Sequence, residues 1–237
     1  MKAIILAAGR GSRMKTLTQD QPKCLIKVKG KALLDWQIEA LRVAGISEIG
    51  VVTGYRREKL NTRGLVEFHN PLWAETNMVS SLVCAQEWLR QEPCVVTYSD
   101  IFYRPSAIES LIIRDDSLAI TYDVNWLNLW VERFGDPLLD AETFRLNEVN
   151  ALVEIGGKPK SIEEVQGQYM GLLKFAPRGW QEVEKILSKL SPKEKNALNM
   201  TTILQKVIDA GNVEVFAVPY ADLWGEVDRS EDLAVYG

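Results

Sequence analysis

The sequence is poor in the residues that staple or metal-clip a small fold. It has three cysteines, Cys24, Cys84 and Cys94, and a single histidine, His69, in 237 residues. No C-x-x-C pair occurs and the cysteine count is odd. That argues against a disulfide framework and a zinc site, and for a reducing compartment. No apolar run approaches the eighteen or so residues of a membrane span, and the chain enters a strand pattern at Lys2 with no leader-like segment. The cytoplasm is therefore the expected compartment. Net charge is only −4, so no global basic field draws nucleic acid or a membrane surface, and neither is expected as a partner. Any anion binding rests on local arginines and lysines. A homo-oligomer stays open.

What is present is an alternation of strand and helix signals. Strands are expected at Lys2 to Ala7, Ile49 to Thr53, Leu65 to His69, Cys94 to Tyr98 and Leu118 to Tyr122. Between them, Lys31 to Ala44 carries Leu34, Ile38 and Leu41 at helical spacing before Gly45, Met78 to Leu89 carries Leu82, Ala85 and Leu89, and Ala107 to Ile113 is helical. From Asp123 to about Lys174 the pattern changes to turns and hairpins, Thr143 to Leu146 and Ala151 to Ile155, with a sharp Gly156-Gly157-Lys158-Pro159 loop and a further strand at Gln168 to Phe175. Helices follow at Trp180 to Leu190 and Met200 to Ala210, then extended segments at Val213 to Val218 and Leu223 to Val227. No internal repeat or linker is present. The expected fold is α/β: a Rossmann-like mixed, mostly parallel sheet with helices on both faces and a small β-rich lid insertion. It forms one domain over residues 1–237, with the lid at about 123–175. Such sheets bind ligands beyond the C-terminal strand ends. Arg13, Tyr55 and Asp100 are thus expected on one rim.

The first strand empties into Gly9-Arg10-Gly11-Ser12-Arg13, and Pro22-Lys23 follows nine residues later. A glycine turn after a strand offers bare backbone N–H groups, and the adjacent cation adds charge, which suits a polyphosphate. A Walker A loop is excluded because G-x-x-x-x-G-K-[ST] does not occur. A dinucleotide fingerprint would need a third glycine where Met14 stands, which disfavours an NAD-dependent oxidoreductase.

The longer string Leu6-Ala7-Ala8-Gly9-Arg10-Gly11-Ser12-Arg13 with Pro22-Lys23 resembles the signature of the nucleotidyltransferases that load a phosphorylated acceptor onto a nucleoside triphosphate. These include the sugar-1-phosphate nucleotidylyltransferases and the phosphocholine cytidylyltransferases, and their nucleotide-diphospho-sugar transferase-like fold is implied with the activity. Attack on an α-phosphorus gathers negative charge on the leaving pyrophosphate. Arg13 can neutralise it while the loop holds phosphates. The resemblance implies a phosphate-binding role for Lys23 and a magnesium site on Asp100 and Asp228, since magnesium prefers one or two carboxylates plus phosphate oxygens and water.

Asn77 and Ser81 lie four apart at the start of a helix and share a face. The segment from Asn70-Pro71 to Leu82 resembles the base-reading stretch of the phosphocholine cytidylyltransferase branch. An Asn amide can pair with a cytosine edge, or it can simply cap the helix. Tyr55 joins this pocket or covers the sheet end. On the acceptor side, Lys158 matches a family lysine that contacts the acceptor phosphate. Trp126 and Trp130, with Arg133, Asp140 and Tyr169 in the same lid section, can box an organic ammonium group or pack the lid. The stretch from Trp126 to Thr143 resembles a subgroup acting on zwitterionic acceptors, phosphoglutamine among them.

The expected activity is magnesium-dependent transfer of CMP from CTP to a small phospho- or phosphonate acceptor of the phosphocholine, 2-aminoethylphosphonate or phosphoglutamine type. Two alternatives are a sugar-1-phosphate nucleotidylyltransferase and a non-catalytic nucleotide-binding regulatory subunit. No general base is required, because a phosphomonoester's second pKa of about 6 leaves its oxygen nucleophilic at neutral pH. His69 is given no catalytic role.

Overall fold

A computed structural model describes residues 1–60 and 64–236. In chain order the strands are β1 (Lys2–Ala7), β2 (Lys27–Val28), β3 (Lys31–Ala32), β4 (Ile49–Thr53), β5 (Val66–His69), β6 (Cys94–Tyr98), β7 (Ile101–Tyr103), β8 (Leu118–Asp123), β9 (Phe144–Leu146), β10 (Leu152–Ile155), β11 (Gln168–Phe175), β12 (Phe216–Tyr220) and β13 (Trp224–Glu226). The helices are α1 (Leu33–Val43), α2 (Met78–Val83), α3 (Gln86–Gln91), α4 (Pro105–Ile112), α5 (Trp126–Phe134), α6 (Pro177–Ser188), α7 (Pro192–Ala197), α8 (Met200–Ala210) and α9 (Asp232–Tyr236).

Seven strands form the central sheet in the order β12-β8-β11-β6-β1-β4-β5. All pairings are parallel except those of β11, which runs antiparallel to both β6 and β8. The interior strands are apolar runs with both faces covered: every residue of β4 and β8 is buried. At the edge, β5 is mostly exposed and mixes Glu67 and His69 with Val66 and Phe68, which blunts further strand pairing. The chain runs from β1 outward through β4 to β5, then returns to the other side of β1 with β6. The switch point therefore lies beside β1, where a ligand crevice is expected.

Three expectations change. The helix expected from Met78 to Leu89 is two short ones, α2 and α3, separated at Cys84 and Ala85. The lid does not reach residue 175. β11 is a central strand whose residues from Met170 to Phe175 are all buried. Between β8 and β11 the chain forms α5, the 3-10 turns Pro137–Leu139 and Ile162–Glu164, and the β9–β10 hairpin. That hairpin is tied down, because Leu152 N donates to Val215 O at 2.8 Å and Ile155 N to Gln205 Oε1 at 2.8 Å. α5 was not expected, although Trp126, Trp130 and Phe134 recur four apart, the spacing of one helix face. Among the described residues no helix is long and apolar enough to cross a membrane.

Candidate active site

Two short antiparallel strands bring distant acids together. β7 begins just after Asp100, and β13 ends just before Val227 and Asp228. Their pairing aligns Ile101 with Glu226, and Val227 N donates to Asp100 O at 2.9 Å. The Asp100, Glu226 and Asp228 carboxylates each present an oxygen within 4.8 Å of the others.

Lys23 binds this cluster from below the glycine loop. Its Nζ donates to Asp100 Oδ2 at 2.8 Å and to Asp228 Oδ1 at 2.5 Å, and the residue is 7% exposed. Burial opposes its charge, but Asp100 and Asp228 together hold its pKa above the ordinary lysine value. Arg13 Nη1 pairs with Asp228 Oδ2 at 3.0 Å while most of its side chain stays in solvent. Burial alone would push Asp228 up; Lys23 first, then Arg13, outweigh it and hold that carboxyl below its usual value. Glu226 goes the other way. Burial and then the Asp228 charge push it up to about 8, against the pull of Arg133.

Gly11 is required by this arrangement. Its φ is +67°, and an added Cβ would meet Lys23 Cδ at 2.7 Å. Only a glycine lets the loop turn left-handed while the lysine stem passes beneath it.

The donor set fits a divalent cation. Three clustered carboxylates supply hard oxygen ligands, and Asp100 Oδ1 is buried with no hydrogen-bond partner among the described residues. A native buried acceptor left open in this way calls for an ion or water.

Two cavities flank the cluster. The first, about 310 Å³, is lined by Leu6, Ala8, Gly9 and Gly11 from the glycine loop, by Trp73, Thr76, Asn77, Met78 and Ser81, by Tyr98 and Ser99, and by Arg13, Lys23, Asp100 and Asp228. The second, about 290 Å³, carries Asp140, Glu142, Gln168, Tyr169, Asn199, Thr201 and Glu226. Arg13, Met78, Tyr98, Asp100 and Asp228 line both.

The structure thus brings together Leu6, Ala8, Gly9, Gly11, Arg13, Lys23, Asn77, Ser81, Asp100 and Asp228, with Asp140 and Tyr169 next door. Ala7 is buried in the sheet and Ser12 faces outward, so neither lines either of these two cavities. Asn77 does cap α2, its Oδ1 accepting from Met78 N at 2.8 Å, and its amide donates to Ala197 O at 3.3 Å. It still lines the first cavity. Tyr55 does not. It donates to Gln19 O and packs edge-on against Trp73, ring centroids 5.2 Å apart, so it braces the cavity wall.

Four residues expected on the acceptor side line neither cavity. Trp126 and Trp130 are 4% and 0% exposed, and Trp130 stacks on Trp224 with centroids 6.2 Å apart. They are core, since the apolar face of α5 turns inward. Arg133 is also fully buried, paired with Glu226 and Asp232. Lys158 is exposed and lines neither cavity. Its Nζ donates to the carbonyls of Leu138 and Leu139, because Gly157 is stapled to Thr143 and turns the loop toward that segment.

Sequence reasoning missed Glu226, Trp73, Thr76, Asn199 and Thr201, whereas Glu142 was an acid it weighed beside Asp140. It also missed Asn70, which is 3% exposed and donates to both Ser81 Oγ and Thr76 Oγ1 at 3.0 Å. The Glu-x-Asp spacing of Glu226 and Asp228 was the available signal for the third acid.

A family model described as "MobA-like NTP transferase domain" matches residues 3–167. The chain is 38% identical to the CTP:phosphoglutamine cytidylyltransferase of Campylobacter jejuni subsp. jejuni, over 99% of this chain and 98% of that protein. It is 31% identical to the choline-phosphate cytidylyltransferase of Streptococcus pneumoniae, over 57% of this chain and 60% of that one. Among solved structures, the inositol-1-phosphate CTP transferase of T. maritima superposes with a TM-score of 0.77 at 22% identity, covering 99% of this chain and 93% of that chain.

Proposed function

The chain belongs to the MobA-like NTP transferase family, and we propose that it is a magnesium-dependent cytidylyltransferase that moves CMP from CTP onto a small phosphorylated acceptor and releases pyrophosphate. The observation that carries this reading is the pair of adjoining cavities that share Arg13, Asp100 and Asp228. One suits a nucleoside triphosphate and the other a second substrate, with the cations and acids of the reaction between them. A CTP donor fits the cytoplasm.

In this reading the glycine loop and Arg13 bind the triphosphate, and Trp73, Thr76, Asn77 and Ser81 receive the base. An oxygen of the acceptor phosphate attacks the α-phosphorus. The new phosphoanhydride bond forms as the bond to pyrophosphate breaks, and Arg13, mostly solvent-exposed and anchored through one nitrogen to Asp228, meets the charge that collects on the leaving group. Lys23 binds Asp100 and Asp228 together and holds the Asp228 carboxyl below its usual value. Asp100, Asp228 and Glu226 would hold magnesium, which screens repulsion between phosphate oxygens and offsets leaving-group charge. No side-chain base is needed for an acceptor phosphate that is already anionic.

The acceptor cavity favours a molecule with N–H groups. Asp140, Glu142, Gln168 and Thr201 offer acceptors, and Tyr169 Oη is buried with no hydrogen-bond partner among the described residues. Burial, in the first place, pushes the Glu142 carboxyl up, and a cationic amine would reverse that. A quaternary ammonium offers no N–H to the Asp140 and Glu142 carboxylates, a mismatch that such sites reject strongly. Phosphoglutamine, the acceptor for which the Campylobacter jejuni relative is named, or an aminoalkyl phosphonate, fits better than phosphocholine.

The test is pyrophosphate release with CTP and magnesium against a panel of phospho-acceptors, repeated with UTP and dTTP. Turnover is expected with CTP and an amine- or amide-bearing acceptor, and its loss on chelation. Turnover confined to dTTP or UTP with a sugar 1-phosphate would replace this reading. CTP binding without any turnover would make the chain a nucleotide-binding regulator. Within the same assay, Glu142→Gln should raise KM for an amine-bearing acceptor roughly 10-fold or more, the worth of a hydrogen bond to a charged group. KM for CTP should stay unchanged; a change confined to CTP would move Glu142 out of the acceptor site.

A further inference from the structure

Arg133 is the most completely enclosed cation near the site, with a side chain 0% exposed. It lines neither cavity. Its Nη1 donates to Glu226 Oε2 at 2.9 Å, and its Nε and Nη2 grip the two oxygens of Asp232 at 3.2 Å each. The guanidinium lies over the Trp130 and Phe134 rings, 4.8 Å from each centroid. Asp232 passes the restraint on. Its Oδ2 accepts from Asp228 N at 2.7 Å and from Arg229 N at 2.9 Å.

From this chain of contacts we infer that Arg133 is a positioning residue for the cation site. It orients the Glu226 carboxylate directly and fixes the Asp228 backbone through Asp232. The inference rests on the cation site of the proposed function. Two physical requirements converge on an arginine. The cluster holds Glu226, Asp228 and Asp100 with Asp232 behind them, and buried carboxylates at this density repel unless a buried cation separates them. The grip on Asp232 is a two-point fork that a guanidinium can make and an ammonium cannot. The aromatic floor of α5 then holds the guanidinium plane. The chemical logic is that of an outer partner orienting a metal-ligating carboxylate.

The experiment measures Mn²⁺ binding by electron paramagnetic resonance, with and without CTP, in the intact chain and in Arg133→Lys and Asp232→Asn. The intact protein should bind Mn²⁺. Arg133→Lys should weaken that affinity by about 10–100-fold at a temperature well below its unfolding midpoint. Asp232→Asn keeps the Arg133–Glu226 pair and should weaken it in the same direction, and it carries the test if Arg133→Lys does not fold. A lowered unfolding midpoint with unchanged Mn²⁺ affinity would reduce Arg133 to a stabilising residue and overturn the inference. Absence of Mn²⁺ binding by the intact protein would instead overturn the cation site of the proposed function.

Discussion

Lys23→Met should unfold at markedly lower temperature than the native chain and should lose most turnover. The methionine keeps much of the stem's packing but removes the one ammonium that binds both Asp100 and Asp228. Breaking a buried ion pair from one side costs about 3–5 kcal/mol, because the partner charges stay behind uncompensated. Here the stranded partners are two carboxylates with Glu226 also within 4.8 Å. Turnover should fall roughly 10²–10³-fold, the usual effect of deleting a charge-stabilising group from a reacting site. Thermal unfolding with and without added Mg²⁺ checks the first part: a divalent cation should raise the variant's midpoint more than the native one, since it replaces the missing charge. A variant as stable as the native chain would show that the rim is held by something other than this triad.

The same cluster predicts the direction of the acid response. Asp228 is held below its usual pKa by Lys23 and Arg13. Its share of stability is therefore complete above the ordinary carboxylate range and is lost as pH falls through its lowered folded value.

Trp130→Ala should destabilise the protein as strongly while leaving acceptor recognition intact. Trp130 is 0% exposed and packs between Trp224, Phe134 and the Arg133 guanidinium. Emptying a buried tryptophan site costs about 3–5 kcal/mol. Trp130→Phe should cost far less, because the indole N–H has no acceptor to lose. Steady-state kinetics below the unfolding temperature would then show KM for the acceptor close to native in Trp130→Phe. A large rise in that KM without a stability change would return Trp130 to the acceptor site.

The two predictions separate what neighbouring residues along the chain can reveal from what they cannot. The sequence by itself determined the glycine-loop half of the proposed site. β1, the glycine turn and Lys23 are close together in the chain, and strand-to-turn spacing is a local property. The strands β1, β4, β6 and β11 stand where apolar patterning puts them, for the same reason. Asp100 and Asp228 were legible as strand-end acids, but their meeting depends on the β7–β13 pairing between distant segments. The second cavity, the proposed acceptor side, was decided by tertiary structure alone. A four-residue spacing shows that Trp126 and Trp130 share a helix face and says nothing about whether that face meets solvent or core. Burial chose the core, and with it turned Arg133 from a ligand contact into the buried partner of Glu226 and Asp232. Asp140, Glu142, Gln168, Asn199 and Thr201 come from separate stretches of the chain. Only packing the β9–β10 hairpin and α8 beside the antiparallel β11 gathers them into one cavity.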